Sequence, residues 1–510
     1  MVSILDIAIT LLFLILGQFV YDIYKRKRLQ FPPGPIGLPI IGSLASFGSY
    51  PHLVFDYWRK KYASDTICYR LGFRNIVVLH NFDTIKKTLN DDASTGREHI
   101  TFGTTDLQTN NGIRYGLLAS EGELWQEHRR FAMSTLKHFG MGKTWLEDAI
   151  IAETDDLCKL FHKHQGRPLN PAEPIYHCVS NMMCSLAFGK RFDYSDKNFT
   201  NLAVSIADQV VQTTDDLLFS MCPYLKYIPG RFRNRYKKGQ ENYKRVVAFT
   251  QDIAKEHNKS VAEDEAHDYI DAFTAKANSS QNGSKGFYNE KQLEVMLYDL
   301  FAAGTETTST TNLWCLVFML EYPDIMAKVQ EEIDHHVGNQ RPVRFSDKAV
   351  LPFTEATVLE MQRLASIAPF GIPHVTQKDM YIDGYFVPEN SILLPNLYSV
   401  QRDPKYWDKP DTFDPTRFLS QNGTVDKPET FSVFGIGKRA CMGELLARME
   451  VFIIIANIVQ RFNLTLPPGC TISHKDYMVS IVLHPKPFDV IFTPRTEYSD
   501  MLNKSDYQCL

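Results

Sequence analysis

The sequence contains no CxxC pair, and its nine cysteines are scattered without an even framework. That excludes a zinc ribbon and a disulfide scaffold, and it fits a reducing compartment. Charge of one sign is lacking as well: the 510 residues carry a formal net charge of −4. Such a balance gives no general reason to expect a nucleic-acid partner. No repeat at solenoid spacing is present. Hydrophobic residues make up 44% of the chain, which excludes disorder, and the length allows a large core.

What is present starts at the N-terminus. VSILDIAITLLFLILGQFVYDIY (2–24) is almost wholly apolar and is followed by Lys25-Arg26-Lys27-Arg28. The stretch suits a single bilayer span of about 20 residues. Its charge follows the apolar run, unlike that of a cleaved signal peptide. The positive-inside rule then leaves the N-terminus lumenal and the body cytosolic. Residues 1–24 are expected to be a transmembrane anchor, 25–42 a basic and proline-rich hinge, 43–500 the catalytic domain and 501–510 a tail. Pro32, Pro33, Pro35 and Pro39 forbid a helix in the hinge and stiffen it. With a cytosolic body, the sequons at Asn198, Asn258, Asn278, Asn282, Asn422, Asn463 and Asn503 should stay unmodified.

DTICYRLGFRNIVVLH (65–80) alternates and is β-branched, which predicts a small hairpin. Residues 115–330 are mainly helical by periodicity, and KDMYIDGYFVPENSILLPN (378–396) returns to short strands. The fold class is mainly α (α+β). NEKQLEVMLYDLFAAGTETTSTTNLWCLVFMLEYP (289–323) has no proline until Pro323, so its helix would span on the order of 45–50 Å. It is apolar nearly all round in its second half and should run through the core. In its middle, Gly304 and a run of threonines weaken the helix. Glu306 is costly to bury there without a partner. Together they predict a local opening suited to proton traffic.

Glu360 and Arg363 lie at i, i+3 on one helical face. With Arg417 of FDPTRF (413–418) they could form a network pinning the loop before Cys441. That loop, FSVFGIGKRACMGELLARME (431–450), bends a glycine-rich basic turn into an apolar helix. Gly435, Gly437 and Gly443 permit close backbone approach. Cys441 would sit at the helix N-terminus, where the dipole favours thiolate and backbone N–H groups tune it. Arg439 next door suits a carboxylate. A thiolate in a protected turn, with basic residues for propionates, describes a haem axial ligand.

In this order the motifs resemble a microsomal cytochrome P450 of animal type, of the kind grouped with vertebrate family 2. They are WQEHRRF (125–131), FGKRFDY (188–194), AGTETT (303–308), EMQR (360–363), PHVTQKD (373–379), FDPTRF, and FGIGKRACMG (434–443), which fits F-x-x-G-x-R-x-C-x-G. The resemblance implies a triangular prism of helices with small β-sheets, and haem between the long central helix and the cysteine helix. It implies Cys441 as the fifth iron ligand, and Trp125, Arg129, His374 and Arg439 at the haem propionates. Phe434 would shield the sulfur, and Thr307 with Glu306 would act on the oxygen side. Glu360, Arg363 and Arg417 would be a structural triad. Val433 departs from the family, where many members have proline.

The implied reaction is monooxygenation of a lipophilic xenobiotic, steroid or fatty acid by hydroxylation or epoxidation. Electrons would come from NADPH through a separate NADPH–cytochrome P450 reductase, with cytochrome b5 as a second donor. No glycine-rich dinucleotide fingerprint is present to suggest a fused one. Arg130, Lys438 and Arg448 are either docking cations or ordinary solvated charge. The pocket is expected from Phe102 to Leu118, Val210 to Leu225, Phe301 and Ala302, Ile367 to Ile372, and Met478 to Ser480. The location implied is the endoplasmic reticulum membrane. Two other readings stand: a haem-thiolate isomerase or dehydratase on the same fold, and a non-enzymatic membrane-tethered haem or lipid-binding protein.

Overall fold

A computed structural model describes residues 4–498 except 40, 44–45, 47, 49, 73, 98–108, 111, 140–143, 195, 197–198, 200–201, 203–204, 206–225, 257–265 and 280–285. The expected pocket segment Val210 to Leu225, residues 102–108 and 111 of the loop from Phe102, the sequons at Asn198, Asn258, Asn282 and Asn503, and the tail therefore lie outside the described residues.

The chain runs α1 (Ile4–Arg28), α2 (Pro51–Tyr62), β1 (Thr66–Leu71), β2 (Arg74–Leu79), α3 (Phe82–Asn90), β3 (Gly96–Arg97), β4 (Thr109–Asn110) and β5 (Ile113–Arg114). Helices follow: α4 (Gly122–His138), α5 (Thr144–Lys163), α6 (Ala172–Phe188), α7 (Arg231–Glu256), α8 (Tyr269–Ser279), α9 (Glu290–Glu321), α10 (Pro323–His336) and α11 (Pro352–Ala365). Then come β6 (His374–Val375), β7 (Met380–Ile382), β8 (Tyr385–Val387), β9 (Ile392–Pro395) and α12 (Leu397–Val400). The last elements are α13 (Glu444–Arg461), β10 (Phe462–Thr465), β11 (Tyr477–Val479), β12 (Leu483–Pro485) and β13 (Ile491–Pro494). The result is mainly helical with small sheets.

The apolar N-terminus is helical as α1, and Lys25–Arg28 form its last turn rather than a linker. Cations there meet the negative end of the helix dipole. Ile7, Leu12, Phe13, Leu14 and Val20 are exposed. Among the described residues no helix is long and apolar enough to cross a membrane, so the expected span is not found there. The proline-rich segment is not helical. It lies along β1: the Cys68 N–H donates to the Pro33 carbonyl at 2.8 Å, and the Ser43 N–H to that of Arg70 at 2.8 Å.

The predicted hairpin is β1–β2, antiparallel, with Thr66 opposite Leu79. It belongs to a five-stranded sheet ordered β1-β2-β9-β6-β3. Alternation serves both faces. Ile67, Tyr69, Ile76 and Val78 bury against Phe55 and Trp58 of α2. Cys68, Val77 and Leu79 bury against Phe82, Ile85 and Leu89 of α3. At the far edge Arg97 of β3 pairs with His374 of β6.

The main core surrounds α9, with α6, α13 and α7 against it and α5 packed on α6 and α13. Asn289 caps α9, its side chain accepting from the Gln292 N–H at 2.9 Å, and Pro323 begins the next helix. α9 is helical without interruption, so the expected opening is not a break in the helix. The hydroxyls bond back one turn, Thr307 to the Ala303 carbonyl at 2.7 Å and Thr311 to that of Thr307 at 2.8 Å. Gly304 has a packing reason: a Cβ there would lie 2.3 Å from the Met183 sulfur on α6.

Candidate active site

The cysteine turn is shaped by two glycines, Gly435 and Gly437, at φ +80° and +79°. A Cβ on Gly437 would fall 2.2 Å from the Leu89 carbonyl oxygen, so a side chain is excluded there. The Cys441 N–H donates to the Phe434 carbonyl at 2.9 Å, and α13 begins three residues on at Glu444. Cys441, Phe434 and Val433 all border a cavity of about 370 Å³ between α9 and α13. Burial pushes the Cys441 thiol up, while the Gly443 N–H and Arg129 pull it down against Glu444. The helix end alone therefore does not produce the thiolate expected from the sequence. A bound metal would, because a coordinating thiol is deprotonated outright.

One rim of the cavity is cationic. Arg439 donates to the carbonyls of Thr95, Leu117 and Ser120 at 3.1, 3.2 and 2.6 Å and stacks 3.8 Å over Trp125. Arg129 donates to the Ala440 carbonyl at 2.6 Å. His374 Nδ1 lies 2.8 Å from the Ser94 carbonyl, and burial followed by Arg97 holds its pKa well below the ordinary value. Arg97 donates to the Ile372 carbonyl at 2.9 Å, and its buried Nε has no partner. Burial and neighbouring arginines push Arg97 down to about 9 and Arg439 to about 8, with Glu121 opposing both. Guanidinium groups stay protonated in proteins. Arg97, Arg129 and Arg439 thus crowd one rim, with Glu121 the acid that opposes the charge of Arg97 and Arg439. Sequence reasoning missed Arg97 because it is a lone arginine in no motif; only the β3–β6 pairing brings it to His374.

The opposite wall is α9. Glu306 is buried, receives the Tyr176 hydroxyl on Oε2 at 2.8 Å and the Thr310 hydroxyl on Oε1 at 3.1 Å, and is pushed by burial to about 8. Thr307 borders the cavity beside it. Glu450 of α13 is also buried and pushed to about 8, with a hydrogen bond to Thr308 as its relief. Asp299 accepts the N–H groups of Leu117 and Leu118 at 2.7 and 3.0 Å and is pushed by burial to about 7.

Behind the turn, Glu360 accepts Arg363 Nε at 2.7 Å and Nη2 at 2.8 Å, Arg417 Nε at 2.9 Å and the Asp414 N–H at 3.0 Å. Arg363 also donates to the Gln401 carbonyl at 2.6 Å, and Gln401 to that of Thr430 at 2.7 Å. The three-way network is thus tied through Gln401 to the entrance of the cysteine loop. A lone thiol, a cationic rim and an acid–threonine wall around one cavity coincide with a match to the family model for cytochrome P450 over residues 32–492.

The chain belongs to the cytochrome P450 family.

It is similar to cytochrome P450 2U1 of Rattus norvegicus, 35% identical over 496 residues covering 92% of each chain. Rat cytochrome P450 2J3 is 35% identical over 503 residues covering 97% of each. Rat cytochrome P450 2B2 is 34% identical over 487 residues, covering 92% of this chain and 96% of its own. This P450 is a haem-thiolate monooxygenase, and its family works with a redox partner on lipophilic substrates. The residues present fit haem. Its two propionates are the kind of anion that the unpartnered Arg97 Nε lacks, and Cys441 offers the one thiol among the described residues of the cavity wall.

The substrate walls differ in part from expectation. Leu117, Leu118, Ala302, Ile367, Ala368 and Ile372 border the cavity as anticipated. Phe301 does not; it is fully buried against Phe188 on the core side of α9, with Leu300 and Ala303 facing inward instead. Met478 is 40% exposed and does not border the cavity. The hairpin residues Ile481 and Val482 reach the cavity in place of Met478 to Ser480. Of the docking candidates, Arg130 is exposed, Lys438 pairs with Asp92, and Arg448 lies 3.7 Å from Glu444.

Proposed function

We propose that this P450 inserts one oxygen atom of O2 into a lipophilic substrate, by hydroxylation or epoxidation, with electrons from NADPH. The observation that carries it is the facing pair: a lone cysteine on one wall of the cavity and an acid–threonine pair on the other. Haem, when bound, supplies the oxygen activation, which thiolate donation favours. Cys441 is the iron ligand, and the Phe434 carbonyl holds its backbone in place. Trp125, Arg97, Arg129, His374 and Arg439 hold the propionates. Thr307 and Glu306 hold protons at the oxygen side, and Glu306 keeps its proton near neutral pH. The apolar walls bind the substrate and exclude water.

The electron donor is a separate NADPH–cytochrome P450 reductase, with cytochrome b5 as a second donor, docking near Arg130, Lys438 and Arg448. Residues 1–24 attach a catalytic domain of residues 43–500 to the endoplasmic reticulum membrane through the 25–42 hinge, leaving it cytosolic; the exposed apolar side chains of α1 support this.

Reduction of the purified protein under carbon monoxide should give the strongly red-shifted Soret band of thiolate ligation, lost in Cys441→Ala. The wild type, with reductase and NADPH, should then oxidise a member of a panel of steroids, fatty acids and drug-like compounds. A spectrum like that of His-ligated haem in folded protein would overturn the ligand assignment. Substrate binding without NADPH-dependent product would overturn the reaction.

A further inference from the structure

Glu306 has three described polar neighbours, and two of them lie outside every motif in the sequence: Tyr176 from α6 and His484 from β12. The third is Thr310, one turn further along α9. The Tyr176 hydroxyl donates to Oε2 at 2.8 Å, and the Thr310 hydroxyl donates to Oε1 at 3.1 Å. His484 Nδ1 lies 3.4 Å from the Thr310 oxygen. With the Thr310 hydroxyl turned to Glu306, the tautomer that completes the chain carries its proton on Nδ1 and donates to Thr310. His484 Nε2 is then a bare lone pair. It sits 3.5 Å from Glu306 Oε1, is buried, and has no hydrogen-bond partner. Two acceptors therefore face each other with room for one shared proton. Among the described residues no Lys or Arg meets Glu306, so nothing stabilises the carboxylate by charge.

We propose that Tyr176 and His484 are positioning residues that keep Glu306 a neutral carboxylic acid, its proton on Oε1 and directed at His484 Nε2, stored at the edge of the cavity. Tyr176 fixes the other oxygen, so the carboxyl cannot rotate its proton away. Burial pushes both members toward their neutral forms, Glu306 up to about 8 and His484 down to about 4. When Glu306 passes its proton to a basic oxygen in the cavity, one O–H bond breaks and another forms there; the carboxylate, still held by Tyr176 and Thr310, is then reprotonated by a hydronium from solvent, which leaves water. Only O–H bonds change. The use of this stored proton rests on the monooxygenase reading; its existence does not.

Infrared spectroscopy of the holoenzyme tests the store directly. At pH 7 a protonated-carboxyl C=O band should appear, shift in D2O and vanish in Glu306→Gln. The band should change frequency in both Tyr176→Phe and His484→Ala, each of which removes one polar neighbour of the carboxyl. Absence of the band at pH 7, or a band unmoved by both substitutions, overturns the proposal. Where His484→Ala fails to fold, Tyr176→Phe, which keeps the ring, decides alone. With reductase, NADPH and an identified substrate, each variant should raise the ratio of hydrogen peroxide to product about tenfold, at unchanged substrate Kd, since a well-placed acid is worth at least that much. An unchanged ratio in both variants overturns the positioning role. Failure of the wild type to turn over would sink the monooxygenase reading while the infrared band still decides whether the proton is held.

Discussion

Glu360 and Glu306 are both glutamates on core helices, 0% and 1% exposed, yet they keep opposite company. Glu360 is met by two guanidinium groups and a backbone N–H, which fill its oxygens. Glu306 is met by a phenol, a threonine and a bare imidazole nitrogen. Burial is the same; the charge of the partners differs. A buried carboxylate with cations is a fixed structural joint, because removing any member leaves a stranded charge. A buried carboxyl without cations is a proton reservoir, because the neutral form is the one its surroundings favour.

The sharpest way to break this contrast is to remove the first glutamate. Glu360→Ala strands Arg363, which is 0% exposed, and should cost roughly 3–5 kcal/mol. Haem content and thermal melting should both fall; normally folded, haem-replete protein would show that the network is dispensable. The second glutamate should behave in the reverse way. Glu306 has a folded-state pKa of about 8 against an ordinary 4.5, so its folded form holds the proton more tightly. Stability from this group is full below about pH 4.5 and is lost as pH rises toward 8. Glu306→Gln should fold and should flatten that slope in denaturant titrations run across the range. A residual slope is expected from Glu450 and Asp299, pushed up to about 8 and 7. A slope identical to wild type would mean that Glu306 is ionised throughout.

Smaller changes sharpen the same comparison. Thr307→Val keeps the shape of the α9 wall but deletes the hydroxyl that now bonds back to Ala303. Folding should be unaffected within about 0.5 kcal/mol. Product formed per NADPH should fall severalfold while NADPH consumption continues, and an unchanged ratio would leave Thr307 as packing alone. The smallest effect belongs to Arg417→Lys. It preserves the charge beside Glu360 but loses the fork that also donates to the Asp408 and Thr412 carbonyls at 2.8 and 3.1 Å. A loss of about 1 kcal/mol is expected, read as a lower melting temperature.

Local pattern and fixed spacing made much of this legible. The β1–β2 hairpin follows from alternation, and α9 from its unbroken run between Asn289 and Pro323. The cysteine turn follows from its glycines. What could not be read is what non-local pairing creates. β9 lies in the segment read as short strands, but its pairing with β2 from far along the chain was not visible, and the two-residue strands β6 and β3 leave no periodic trace. Arg97 enters the rim only through that sheet. Tyr176 and His484 reach Glu306 from α6 and β12, with no motif to mark them. Phe301 and Leu300 are adjacent apolar residues, and only the rotation of α9 decides which one faces the cavity. The threonine run was a different case: the hydroxyls that might have opened the helix satisfied themselves one turn back.

The five-stranded sheet has a geometric consequence. Its β1 edge is held by the proline-rich segment through Pro33, and α1 is fastened to the same edge by Arg70 with Asp22 and by Arg26 with Cys68. Its other edge carries Arg97 and His374. One hydrogen-bonded sheet therefore reaches from the N-terminal helix to the cationic rim of the cavity, so the placement of α1 and the placement of Arg97 and His374 are fixed by the same set of strands.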